Sequence, residues 1–125
     1  MFDVLIGRNN VTPLGNDIVS GLTIFNTASA QFIVTARRLD TTAASLSGTA
    51  KTNFQTQCGT ATSTTQRSCL VSKIAGLTAD DYTPTGVTYG VGAKSLLDTI
   101  GTDTSTCNGN GIYFLTDGGL SGTDL

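Results

Sequence analysis

The chain contains no histidine and no tryptophan, only two prolines, and charged residues make up only 13% of it. Without histidine, the commonest general base and the usual zinc ligand are missing. No nucleophile elbow and no suitably placed pair of carboxylates stands in for them, so the chain does not read as an enzyme. A hydrolase using Asp117 and a threonine hydroxyl is the weakest of the readings weighed. Seven basic residues against nine acidic ones leave a net charge of −2 and no basic stripe. Nucleic acid is therefore not an expected partner. No apolar run approaches the ~20 residues that a membrane span needs. Met1-Phe2-Asp3-Val4-Leu5-Ile6 is too short for a secretory signal and has no basic start. At 125 residues the chain holds at most one domain.

Threonine, serine and glycine take the place of the missing charge, a composition common in secreted and surface proteins of bacteria. Three cysteines are present: Cys58, Cys69 and Cys107. Cys58 and Cys69 bracket a polar stretch and are expected to close it with a disulfide, worth roughly 2–3 kcal/mol at this loop size. The alternative is three reduced thiols in a cytosolic protein. Cys107 is then either free or paired outside this chain. An exported protein without a signal sequence points to a piece of a longer chain. The apolar residues of positions 2–6 read as the end of a helix, and the last residues, Gly118 to Leu125, as a loop.

Taken in order, residues 2–7 are expected to be helical, with Gly7 as the stop. Arg8 to Asp17 carries turn formers. Ile18–Asn26 and Ala30–Arg38 read as two strands of an antiparallel hairpin, with Phe25 inward and Arg37 and Arg38 at its solvated end. A phosphate role for the two arginines is the minor alternative. Residues 40–69 read as a Thr-rich insertion loop within the domain. Within it, Ser47 can cap a helix over Thr49–Gln57 whose only strong anchor is Phe54. Leu70, Ile74 and Leu77 share one helical face. Pro84 fits a helix entry, and a helix is expected from Thr85 or Gly86 to about Ile100, with Val87, Val91, Ser95 and Leu96 on its packed face. Gly111-Ile112-Tyr113-Phe114-Leu115-Thr116 reads as a strand buried on both faces, as at the centre of a parallel sheet.

That strand runs into Thr116-Asp117-Gly118. The carboxyl end of a central strand is where open α/β sheets bind ligands, and an aspartate there can hold a hard cation. A plain turn at Asp117-Gly118-Gly119 is the alternative. Thr83 likewise reads as a helix cap or as a ligand. Asp80 and Asp81 read as solvated loop charges.

Tyr82-Thr83-Pro84-Thr85-Gly86 leading into a helix, then a buried strand ending in Thr-Asp-Gly, resembles the von Willebrand factor type A domain. Ile18-Val19-Ser20-Gly21-Leu22-Thr23-Ile24-Phe25-Asn26 is similar to the second strand of that family, and the matches fall in the family's order. The resemblance implies an α/β, Rossmann-like type A fold over residues 1–125. It also implies a metal-ion-dependent adhesion site, with Thr83 and Asp117 as ligands of Mg²⁺ or another divalent cation (Mn²⁺, Ca²⁺). Thr116, Gly118 and Gly119 would then rim the ligand. The family's Asp-x-Ser-x-Ser motif and first strand are absent, as are its last strands. The fold is thus expected to be incomplete, with the chain extending beyond Met1 or the site degenerate.

The Cys-bracketed insertion, Cys107-Asn108-Gly109-Asn110-Gly111 and Gly-Ile-Tyr-Phe-Leu-Thr-Asp-Gly together resemble the type IV pilus tip-associated adhesins of bacteria (the PilC/PilY family). That likeness implies an extracellular location at a cell surface or pilus tip. The partners it implies are a protein or surface ligand, pilin or pilus-tip subunits, and the remainder of a longer chain. A structural or assembly element that binds no metal is the alternative function. An intracellular type A protein of the chaperone or chelatase kind is a further one.

Overall fold

The structure, a computed structural model, describes residues 2–25, 30–77, 85–100 and 110–115. Those residues make a small mixed α/β protein with four α-helices and a two-stranded antiparallel sheet. Helix α1 spans Phe2–Ile6, strands β1 and β2 span Val19–Phe25 and Ala30–Arg38, and helices α2, α3 and α4 span Gly48–Cys58, Gln66–Ala75 and Thr85–Ile100. A short 3₁₀ turn occupies Ala43–Ser45. The chain forms two compact units: Met1–Gly21 with Arg37–Thr78, and Leu22–Ala36 with Ala79–Leu125.

In the first unit, α1 stops where expected. Gly7 takes a φ of +71°, and a Cβ there would lie 2.9 Å from Pro13 Cδ, so both backbone and space call for glycine. Three of the carbonyls that the helix end leaves unpaired are answered. Asp3 O accepts from the Gly7 and Arg8 amides, Val4 O accepts from the Leu14 amide, and Leu5 O accepts from the Arg67 guanidinium. Asn9 and Arg8 also grip the Asp3 carboxylate at 3.1 and 2.8 Å, which holds its pKa below the usual carboxylate range.

The stretch 40–69, expected as an insertion loop, carries the 3₁₀ turn, all of α2 and the start of α3. Ser47 is the N-cap residue of α2, and the helix ends at Gly59, whose φ of +92° turns the chain while its amide bonds Gln55 O at 2.8 Å. Phe54 is wholly buried. It does what the sequence assigned to it: it anchors an otherwise polar helix. With Leu5, Leu39, Ala43, Cys69 and Leu70 it makes up the buried apolar residues among those described in this unit. Helix α2 packs on the 3₁₀ turn and on α3, and α3 packs on α1.

Helix α3 begins at Gln66, four residues before the Leu70 start expected from periodicity. Its N-terminal amides explain why. Gln66 N donates to Thr41 O at 2.8 Å, Arg67 N to Leu39 O at 3.0 Å, and Ser68 N to the Thr65 hydroxyl at 3.2 Å. The Ser68 hydroxyl accepts in return from Thr65 N, completing a capping box. Two of these acceptors lie just past β2, so the helix start is set by chain far away in sequence. The Thr42–Thr65 bridge pins the same junction.

In the second unit, α4 matches its expected span, Thr85–Ile100. Among its described side chains Thr88, Val91, Gly92, Ala93, Ser95 and Leu96 are the more buried, while Tyr89, Lys94, Leu97 and Asp98 are exposed. All but Ala93 fall on one stripe at i, i+3, i+4, i+7 and i+8. Lys94 and Asp98 pair across one turn at 2.7 Å. Val34 of β2 is fully buried, whereas the side chain of Phe25 and residues 26–29 lie outside the described residues. Residues 110–115 correct the expected central strand. They have no regular secondary structure, Ile112 and Phe114 are half-buried, and Tyr113 and Leu115 are about 70% exposed. A strand buried on both faces needs a paired neighbour on each side to satisfy its backbone, and among the described residues this segment pairs with none. Phe114 instead packs tilted against Tyr89, ring centroids 6.4 Å apart.

Candidate functional site

Thr83, Thr116, Asp117, Gly118 and Gly119, proposed from the sequence as metal ligands and rim, lie outside the described residues, as do Asp80, Asp81 and Cys107. Described residues lie close by in sequence. Helix α4 begins at Thr85, two positions after Thr83, and the Asn110–Leu115 segment ends two positions before Asp117. Among the described residues no three of His, Cys, Asp and Glu gather as metal ligands. Also among them, no helix is long and apolar enough to cross a membrane.

The expected disulfide joins Cys58, the last residue of α2, to Cys69, with Cα atoms 5.2 Å apart. The loop it closes is exposed from Gly59 to Ser63, as expected of a stapled neck. One part of that expectation is corrected. Cys69 is not in a polar loop but inside α3, and it is 3% exposed. The cross-link therefore reaches into the apolar core and ties the end of α2 to the middle of the first turns of α3.

The solvated arginine pair also divides. Arg38 is exposed and forks onto Asp40, both contacts at 3.1 Å, which raises the Arg38 pKa and lowers that of Asp40. Arg37 folds inward. Its guanidinium lies 5.3 Å from the centroid of the Phe54 ring and donates to Gln57 Oε1 at 3.0 Å, and burial pulls its pKa below the usual arginine range. A cation over a buried aromatic face is held by the ring's quadrupole as well as by hydrogen bonding. Both arginines have internal partners, which disfavours a phosphate role.

Two residues carry long-range order that the sequence did not announce. Gln66 is fully buried and donates from Nε2 to Ser20 O in β1 at 2.8 Å. Arg67 donates to Leu5 O, Leu14 O and Asn16 Oδ1, clasping the N-terminal segment to α3. An open cavity of about 600 Å³ lies at this clasp, lined by Leu5, Ile6, Pro13, Leu14, Gly15, Asn16 and Arg67. The guanidinium points its donors at two backbone carbonyls and the Asn16 side chain, and the cavity wall is mostly apolar. Only the charge of Arg67 within a nearly neutral polar stretch hinted at such a role.

No protein-family model, no curated protein and no solved structure matches this chain.

Proposed function

We propose that the chain is a ligand-binding module of an exported bacterial surface or pilus-tip protein, built on the von Willebrand type A plan. Its ligand would be held at the carboxyl end of the sheet with help from a divalent cation. The observation that carries this reading is the start of α4 at Thr85, directly after Thr83-Pro84. That is the loop-into-helix order in which the resemblance puts a cation-binding threonine. The β1–β2 hairpin upstream is in the order the resemblance implies. The Cys58–Cys69 disulfide supports an oxidising compartment.

The donors this chain offers, the Thr83 hydroxyl and the Asp117 carboxylate, would fill two of about six oxygen positions around Mg²⁺ and leave the rest to water or to groups from another segment. Binding is therefore expected to be weak in this chain alone. Calorimetric titration of Mg²⁺ and Mn²⁺ into the purified chain tests the reading. Saturable heat that is lost in Asp117→Ala supports it. No heat in the wild type removes the cation from the reading.

The buried position of Cys69 favours a second reading, in which the protein is a structural or assembly element of a pilus tip or filament, its load carried through the cross-linked first unit. Adhesion or assembly that fails on reduction yet survives chelation would distinguish this from the cation-assisted module.

A further inference from the structure

We propose that Cys58 is a site of reversible S-thiolation, at which a low-molecular-weight thiol opens the Cys58–Cys69 disulfide and stays bound to Cys58. The two ends of this cross-link are unequally placed. Cys58 is half-buried, closes α2, and is followed by residues 59–63, all exposed. A Cβ built on Gly59 meets nothing within 4 Å, so open space lies beside Cys58. Cys69 is 3% exposed and sits inside α3, next to the buried Leu70. Exchange starts at the sulfur that a thiolate can reach, and these surroundings direct it to Cys58.

The leaving side is prepared as well. Cys69 Sγ lies 4.0 Å from Gln57 O, so a thiol released there has an acceptor in place. Helix α3 is also held independently of the cross-link. The Thr65–Ser68 capping box and the bonds from Gln66 N to Thr41 O and from Arg67 N to Leu39 O involve neither sulfur. Cys69 is therefore kept opposite position 58 and closes the bond again once the small thiol is removed.

In the step, a lone pair of the incoming thiolate forms a bond to Cys58 Sγ. The electron pair of the old S–S bond leaves on Cys69 Sγ, which takes up a proton in place of the one the small thiol lost. One disulfide breaks and one forms, so no outside oxidant or reductant is required. In the reverse step Cys69 attacks Cys58 Sγ and expels the small thiol. The site belongs to the first unit and stands whether or not Thr83 and Asp117 bind a cation.

The test uses the full chain carrying Cys107→Ser, so that a single cross-link reports. The oxidised protein is exposed briefly to 2-mercaptoethanol and quenched in acid. Free thiols are then alkylated in acidic urea, and the peptides are mapped by tandem mass spectrometry. The expected product carries mercaptoethanol on Cys58 and the alkyl group on Cys69, in roughly tenfold excess over the opposite isomer. When the oxidised chain is unfolded in urea before the thiol is added, the two isomers should approach equal amounts. Adduct mainly on Cys69, or a mixture from the folded chain as even as that from urea, would overturn the proposal. So would a disulfide that gives no adduct until the chain is unfolded. Two single-cysteine chains give the comparison through a second reaction. With an aromatic disulfide that releases a coloured thiolate, the folded chain retaining Cys58 should react roughly tenfold faster than the one retaining Cys69, the rates converging in urea. Equal rates in the folded chains would count against it.

Discussion

Replacing Cys58 and Cys69 together by alanine removes a cross-link between residues 11 apart in sequence. Loop-closure entropy at that separation amounts to about 2.8 kcal/mol at room temperature, acting through the unfolded chain. A local loss adds to it. Cys69 is 3% exposed, and deleting an atom the size of a methylene from a packed site costs roughly 1 kcal/mol. The expected total of about 3–4 kcal/mol is a large share of the ~5–15 kcal/mol that holds a typical domain together. Alanine is the informative replacement, because serine would place a hydroxyl among apolar neighbours and add its own desolvation cost. Urea unfolding followed by circular dichroism gives the difference from the shift in midpoint, with a steeper slope in the variant as its unfolded state expands. A loss below about 1 kcal/mol would refute the argument, since neither the entropy nor the burial could then be as described. Non-reducing peptide maps supply an independent check: Cys58 must be recovered joined to Cys69 and not to Cys107.

Phe54→Ala should destabilise the first unit by about 3–5 kcal/mol, because the residue is wholly buried and is the only large apolar anchor of α2. A double-mutant cycle with Arg37→Ala, read by urea unfolding, should show a favourable coupling of about 0.5–2 kcal/mol; additive effects would remove the cation–π contact from the account. Asp3 gives a pH dependence of defined sign. Asn9 and Arg8 hold its folded pKa below the ordinary aspartate value, so its stabilisation is complete above about pH 4 and is lost as pH falls through the lower folded value. In Asp3→Asn that acid-side slope should vanish, which amide exchange at Gly7 and Arg8 across the acid range would reveal.

What the sequence determined by itself are the features whose causes lie within a turn or two of chain. Gly7 stops α1 because only glycine takes its backbone angle freely beside Pro13. Ser47 and Phe54 place α2, Pro84 and the packed face of Val91, Ser95 and Leu96 place α4, and the patterned runs either side of positions 26–29 make the hairpin. The Cys58–Cys69 pair was legible because a short polar stretch between two cysteines brings them within reach of each other. Tertiary structure alone decided the rest. Helix α3 starts at Gln66 because Thr41 and Leu39 receive its first amides, Arg67 clasps Leu5 and Leu14 some 50–60 positions away, and Arg37 leaves solvent for the face of Phe54. Periodicity reports only which side of an element is apolar. It does not say which distant carbonyl will meet a helix amide, or whether an apolar run such as Ile112–Leu115 will find strands on both sides. For that segment, among the described residues, Phe114 meets the helix residue Tyr89 and no strand pairs with it. Thr83 and Asp117 were read from motif order, and whether they meet depends on the same kind of long-range packing, because they lie 34 positions apart in the chain.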